Sequence, residues 1–553
     1  MDKRLRLTQV VIALLCVSLV FSLFAFGLVG GGASPDQQPP TVRPTSQAPR
    51  KVDQGQRLPG ELARPLDSLD VFKPDVTPNP DRQTDYKAAG KPNVTLPGSL
   101  GDDLRAYAEQ PVEWETCGEG LCAKIFAPLD WENPGQAAVE LAVTKVPSAN
   151  PSLDPLFVNP GGPGAGGTAF ATQFAPDYFK GMDIIGWDPR GTGESTHVQC
   201  GSPEETDKLF DLDSTPDDAS EERALQDGYR QFAKQCRDAS GELLDHISSV
   251  DVARDMDLLR HLVGAEKLNF LGVSYGTFIG AMYATLFPDT SGRLVLDGAV
   301  EITDEEPVPQ IVGFERAFVA WADWCAEQQV CVLHGKSSKE LQQQVTNWLQ
   351  SLDASPLDVG KRKLTQSHAA TGIAMFLYAD DSGYRALAEF LREAMAGNGE
   401  GLLRAADELN GRGQGGKYQT LAYAFPAMGC ADSYDEGAAA VPKRAKEAMA
   451  DTPILGRHMG YGYQCEFWTA EPLPAYKLDA KDADPILVVG STGDSATPYE
   501  QAERMAKQLE PARLLTYEGA GHGAVTGGNQ CVTRTVGEFL ADGTLPEEGK
   551  RCK

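Results

Sequence analysis

Residues 268–284, LNFLGVSYGTFIGAMYA, constrain the fold of this chain more than any other segment. An apolar strand pattern runs into Gly272-Val273-Ser274-Tyr275-Gly276, a G-x-S-x-G motif, and an apolar helical pattern begins at once. A serine between strand and helix, with glycine two residues to either side, occupies a sharp, strained turn that only small neighbours make sterically open. The turn lifts its hydroxyl above a sheet, beside the positive end of the following helix. Gly280, Ala281 and Ala284 let that helix pack close to the strands.

A strand and helix in that order imply a larger sheet, and the sequence supplies it. Short apolar runs recur as AKIFA, VELAVTKV, PLFVNP, MDIIGW, LNFLGVS, RLVLDG, PILVVGS and ARLLTYEG. They are rich in Val, Ile and Leu and too short for helices, which suits strands buried on both faces. Amphipathic segments lie between several of them. In SVDVARDMDLLRHLVG, Val252, Met256, Leu259 and Val263 share a face, with Ser249 or Asp251 as the predicted cap. The alternation predicts a doubly wound, mostly parallel α/β sheet. Residues 101–300 and 481–553 form its two parts, and residues 301–480 read as a large, mainly helical cap or lid insertion. Residues 34–100, rich in Pro, Gln, Asp, Thr and Ser, read as a disordered linker or propeptide.

A serine hydroxyl needs a base, and the base needs an orienting acid, in the chain order Ser, Asp or Glu, His. Of seven histidines, His522 in LLTYEGAGHGAV follows a strand in a glycine-rich loop after Ser274 and is the predicted base. PILVVGSTGDSATP ends a strand and delivers Asp494, 28 residues earlier, as the acid. Asp297 in RLVLDGA is its rival, with a structural alternative as a cap of the loop into the insertion.

FVNPGGPGAGG, residues 157–167, admits two readings. Gly162, Gly164 and Gly167 fit G-x-G-x-x-G, with Asp188 21 positions on, as in a dinucleotide site. Against this, Pro160 and Pro163 remove two amide donors, and at least two strands precede the loop. The same residues make an oxyanion loop: Gly162, beside Gly161, donates one amide, and Tyr275, the residue after the nucleophile, donates the second.

Composition narrows the setting. The charge of −28, from 50 basic and 78 acidic residues, argues against nucleic-acid partners. Lys3, Arg4 and Arg6 precede an apolar run of about 20 residues, the pattern of an export signal or membrane anchor over residues 1–33. Gly31 and Ala33 offer small residues for cleavage. Setting aside Cys16 within that run, ten cysteines remain, an even number that suggests disulfides in an exported protein. Pairing sequence neighbours (117/122, 200/236, 325/331, 430/465, 531/552) is the simplest of many connectivities. Ligands for a metal are lacking near Cys117 and Cys122, and no metal or other cofactor is expected.

NPGGPG, GWDPRGTGES, GVSYGT, VVGSTGDSATP and GAGHG, in this order, resemble the secreted tripeptidyl aminopeptidases, relatives of proline iminopeptidase among the α/β-hydrolases. The resemblance spans residues 110–553 and implies Ser274, Asp494 and His522 as triad, with Gly162 and Tyr275 as oxyanion donors. It implies a structural role for Asp188 and Arg190 beside the site. Proline iminopeptidases read H-G-G-P-G where this chain has Pro160-Gly161-Gly162-Pro163-Gly164, a departure shared with the tripeptidyl branch. The implied substrates are peptide or protein N-termini, whose α-ammonium needs a carboxylate; Asp432 and Glu301 are the candidates. A carboxylesterase or lipase with the same triad is the alternative function, and a non-enzymatic envelope binding protein a third.

Overall fold

Side chains alternate across the strands of one large sheet, and both faces are covered. Phe157, Phe270, Leu294, Ile486 and Val488 point into one apolar cluster; their neighbours Val158, Leu271, Val295, Leu487 and Val489 point into another. This two-sided burial is why the runs read as continuously apolar rather than alternating. The computed structural model describes residues 46–553 apart from 73–78, 80–81, 83–93, 95–96, 119, 175–177, 304–307 and 434. The basic and apolar segment at residues 1–33 lies outside the described residues. Among the described residues no helix is long and apolar enough to cross a membrane.

The sheet has ten strands: β1 (Glu115–Cys117), β2 (Gly120–Pro128), β3 (Ala138–Val146), β4 (Leu156–Asn159), β5 (Ile184–Trp187), β6 (Leu268–Val273), β7 (Ser291–Asp297), β8 (Ile486–Gly493), β9 (Ala512–Ala520) and β10 (Arg551–Cys552). Their spatial order is β10-β9-β8-β7-β6-β4-β5-β3-β2-β1. Pairing is parallel from β10 through β5. It is antiparallel among β5, β3, β2 and β1. All eight predicted runs lie in this α/β sheet. The edge strands β1 and β10, three and two residues long, are too short to carry a pattern.

Helices α1 (Ala219–Ser240), α2 (Ser249–Leu262) and α3 (Tyr275–Leu286) precede the insertion. The N-cap of α2 is Ser248, not Ser249 or Asp251. Its hydroxyl accepts the Asp251 N–H, and the Asp251 carboxylate accepts the Ser248 N–H, a reciprocal capping box one residue earlier than predicted. Between β7 and β8 come α4 (Gln310–Glu327), α5 (Ser338–Ala354), α6 (Gln366–Leu377), α7 (Asp381–Met395), α8 (Glu400–Leu409), α9 (Leu421–Asp432) and α10 (Val441–Asp451). Most of these pack around their own core, with Phe318, Trp321, Leu341, Ile373, Leu387 and Leu402 buried at its centre. Helices α11 (Tyr499–Gln508) and α12 (Gln530–Asp542) complete the chain.

Part of the predicted linker is ordered against this core. Ser46–Gln47 pairs with Val112–Glu113, Val52 and Leu58 are buried, and the Phe72 N–H donates to the Ala475 carbonyl at 2.8 Å. Its few apolar residues, spaced without period, each fill one local site. The disulfides are Cys117–Cys122, Cys200–Cys236, Cys325–Cys331, Cys430–Cys465 and Cys531–Cys552, the simplest connectivity.

A buried ion pair ties β5 to α2. Arg190 and Asp255, 0% and 1% exposed, form two hydrogen bonds of 2.8 and 2.7 Å. The guanidinium also donates to the Leu129, His246 and Pro128 carbonyls, so its donors are used. Removing one partner leaves an uncompensated buried charge. Asp255→Ala is expected to lose about 3–5 kcal/mol, read as a lower denaturant midpoint at unchanged slope.

Candidate active site

The loops at the carboxyl ends of β4, β6, β8 and β9 converge, as expected for an open parallel sheet. Val273 ends β6 and Tyr275 begins α3, so Ser274 alone makes the turn, at φ 58° and ψ −126°. A left-handed serine is strained and persists only where its surroundings fix it. Its N–H donates to the Asp297 carbonyl at 2.9 Å, and the Thr277 N–H donates to its own carbonyl at 2.8 Å. The side chain opens onto a cavity of about 430 Å³ that His522 and Gly162 also line.

Asp494 directly follows β8, and its side chain is wholly buried. The Ala496 and Thr497 N–H groups donate to its Oδ1 at 3.0 and 2.8 Å. His522 Nδ1 lies 2.9 and 3.0 Å from its two oxygens. A carboxylate can only accept, so Nδ1 carries the hydrogen and Nε2 is left as the acceptor a general base needs. Three further groups hold the ring. The His522 N–H donates to the Tyr378 carbonyl at 2.9 Å, the Tyr378 ring stands edge-on at 5.5 Å, and Thr497 Oγ1 is 3.2 Å from Nδ1. Burial opposes the imidazolium, but the charge and hydrogen bond of Asp494 outweigh it, with Asp297 adding, and raise the His522 pKa above its ordinary value.

Asp297 makes no hydrogen bond to His522 among the described contacts. Its carboxylate accepts the Ala524 N–H at 3.0 and 2.8 Å and the Val525 N–H at 2.8 Å. The loop it fixes is the one carrying His522, rather than the one entering the insertion. Burial, opposed by those amides, raises its pKa to about 6.

The loop after β4 faces Ser274. Gly161 has φ 89°, and a Cβ there would lie 2.4 Å from the Val273 carbonyl and 2.7 Å from Tyr275 N, so only glycine permits this approach. The Gly161 N–H is taken by Asn159 Oδ1 at 2.8 Å. The Gly162 N–H takes no acceptor among the described residues, and Tyr275 N, at the first position of α3, has no carbonyl one turn back. Both amides are therefore open to a further acceptor. Asp188, proposed above as structural, accepts from Thr168 N and Oγ1 at 3.0 and 2.8 Å and from Glu194 N at 2.8 Å, tying the glycine loop to β5.

The insertion supplies most of the cavity wall, including Phe314, Met375, Leu409, Leu421, Phe425 and Leu455. None of the insertion's tryptophans lines it. Among the described residues no carboxylate lines it either; its polar groups include Asn410, Gln464 and His458. Burial and the nearby Arg457 charge lower the His458 pKa to about 3, so that ring is neutral. The two predicted ammonium ligands lie elsewhere. Glu301 accepts Nε and Nη2 of Arg504 and the Thr303 hydroxyl. Asp432 accepts the hydroxyls of Tyr275 and Ser249 and the Ser249 N–H. Each already has its partners, and sequence position alone could not reveal them. Asn159, Thr497 and Tyr378 went unpredicted. Asn159, inside FVNPGG, and Thr497, inside PILVVGSTGDSATP, lie within recognisable motifs, whereas Tyr378 does not.

A general base at His522 must be unprotonated to act. Activity is therefore expected to be full at alkaline pH and to fall as pH drops through the raised His522 pKa. The inflection in kcat/KM should lie above 6.5, the ordinary value. Asp494→Asn should lower kcat about 10⁴-fold and shift the inflection to lower pH.

Comparison with known proteins places this geometry in a family. A family model described as TAP-like protein matches residues 452–552, which include Asp494 and His522. Serine protease Hip1 of Mycobacterium tuberculosis is 31% identical over 476 residues, covering 80% of this chain and 91% of that protein. Tripeptidyl aminopeptidase of Streptomyces lividans is 29% identical over 481 residues, covering 80% and 87%. Carboxylesterase B of M. tuberculosis is 33% identical over 480 residues, covering 79% and 89%. The chain is a serine hydrolase of the α/β-hydrolase fold and belongs to the tripeptidyl aminopeptidase family.

Proposed function

We propose that this protein is an exported serine peptidase that removes short peptides, tripeptides in the first instance, from free N-termini. Ser274 attacks the scissile carbonyl, His522 takes its proton and passes it to the leaving amine, and Asp494 holds the imidazole. The Gly162 and Tyr275 amides receive the oxyanion, and water then hydrolyses the acyl-enzyme. The observation that carries the reading is the bond from His522 Nδ1 to buried Asp494 at the mouth of the cavity that Ser274 lines. A space of about 430 Å³ walled by the insertion suits a short segment rather than a folded chain. Five disulfides and the basic, apolar N-terminus support export. Anchoring through residues 1–33 is the membrane-bound form of the same proposal.

The lack of a carboxylate among the described wall residues favours a second reading, a carboxylesterase, because an ester needs no carboxylate for an ammonium. Under either reading Phe314, Met375 and Leu421 in the wall suit an apolar group of the substrate.

The purified protein should cleave a tripeptide chromogenic amide with a free N-terminus and leave its N-acetylated twin intact, with Ser274→Ala inert. Hydrolysis of a short-chain ester with neither amide cut would replace the peptidase by the esterase.

A further inference from the structure

Helix α9 belongs to the insertion, yet it touches both groups that would receive an oxyanion. On one side it backs the glycine loop. A Cβ on Gly164 would lie 2.6 Å from Ala424 Cβ, and one on Gly162 would lie 3.3 Å from Leu421 Cδ1. The loop therefore rests directly on the helix surface. On the other side, the last residue of α9, Asp432, reaches the elbow.

The Asp432 carboxylate is shared between two core helices. It accepts the Ser249 N–H at 3.0 and 3.1 Å and the Ser249 hydroxyl at 2.8 Å, at the first residue of α2. It also accepts the Tyr275 hydroxyl, at the first residue of α3. Ser249 and Tyr275 hydroxyls lie 3.0 Å apart, which closes a three-membered polar cluster. Tyr275 thus has its side chain clamped to the insertion while its backbone N–H points to where the oxyanion forms. Burial raises the Tyr275 pKa well above its ordinary value and keeps the phenol a donor.

The helix is itself restrained. Cys430, two residues before Asp432, is bonded to Cys465, and the Leu473 N–H donates to the Ala431 carbonyl at 2.8 Å. At its other end Thr420 Oγ1 accepts the Gly193 N–H at 2.8 Å. A group held from several directions is what a preorganised donor requires, because a misplacement of about 1 Å can cost about 10²-fold in rate.

We propose that Asp432 is a positioning residue for acyl transfer: it ties α9 to the Tyr275 side chain and so fixes the backbone amide that receives the oxyanion. The proposal rests on Ser274 being the nucleophile. The insertion then has two duties, since the same helix that walls the cavity with Leu421, Phe425 and Pro426 also holds the donors in place.

The test compares Asp432→Asn, Tyr275→Phe and the double variant of the full chain, on a short-chain ester and on a free tripeptide amide. A thermal melt of each variant runs alongside, with Ser274→Ala as blank. Each single variant should lower kcat about 10- to 100-fold on both substrates with KM within about twofold, and the double variant should be no worse than either single. A kcat unchanged in Tyr275→Phe would overturn the proposal even if Asp432→Asn failed to fold. Additive losses in the double variant would overturn it as well. So would a raised KM confined to the free peptide, which would make Asp432 an ammonium ligand. Ester turnover surviving in Ser274→Ala would instead sink the underlying nucleophile assignment and is read separately.

Discussion

The left-handed backbone of Ser274 is the constraint around which the rest of the site is arranged. A non-glycine residue at φ 58° is held only by what surrounds it, and here that means bonds on both sides of the peptide, to Asp297 and from Thr277. The same geometry dictates the neighbouring glycines. The loop carrying Gly161 approaches so closely that a Cβ there would collide with the Val273 carbonyl. Strain at one residue thus fixes the composition of a second loop more than 100 positions earlier in sequence. It also brings the Gly161-Gly162 loop against the start of α3 at Tyr275.

Below this layer the scaffold works by burial of charge in satisfied form. Arg190 and Asp255 are buried together with nearly every donor of the guanidinium spent on a carboxylate or a carbonyl. Asp297 spends its carboxylate on two amides of the His522 loop. Such groups are costly to strand and so specify one arrangement of loops. Two acids that could pass for catalytic, Asp188 and Asp297, are thereby explained as fasteners. Asp494 differs from them because one of its partners is an imidazole whose far nitrogen remains free.

Much of this was readable from sequence, for a physical reason. Strands buried on both faces must be continuously apolar, so all eight major runs could be recognised, and the elbow requires small residues at fixed spacing around a serine. Local rules therefore carried Ser274, Asp494 and His522 as candidates, each at the end of a recognisable strand. What escaped is tertiary. Whether Asp432 and Glu301 were free to bind a substrate ammonium depended on Tyr275, Ser249 and Arg504, residues 157, 183 and 203 positions away. The α2 cap was misplaced by one residue because Ser248 and Ser249 are adjacent and only the fold chooses between them. Residues 46–72 carry few apolar side chains, and their order comes from individual contacts such as Val52 and Leu58 that leave no periodic trace.

The electrostatic contrast between surface and cavity bears on chemistry. The chain carries a formal charge of −28, yet among the described residues no carboxylate lines the space above Ser274, and the wall imidazole of His458 is held neutral. On the proposed reading, an oxyanion formed there would meet two amides in a largely apolar setting. The insertion supplies most of that wall, through residues such as Phe314, Met375 and Leu421, and its helix α9 packs against the glycine loop and accepts the Tyr275 hydroxyl. A change at Leu421 that altered the wall would also alter the packing under the Gly162 loop, so wall and loop are coupled through one helix.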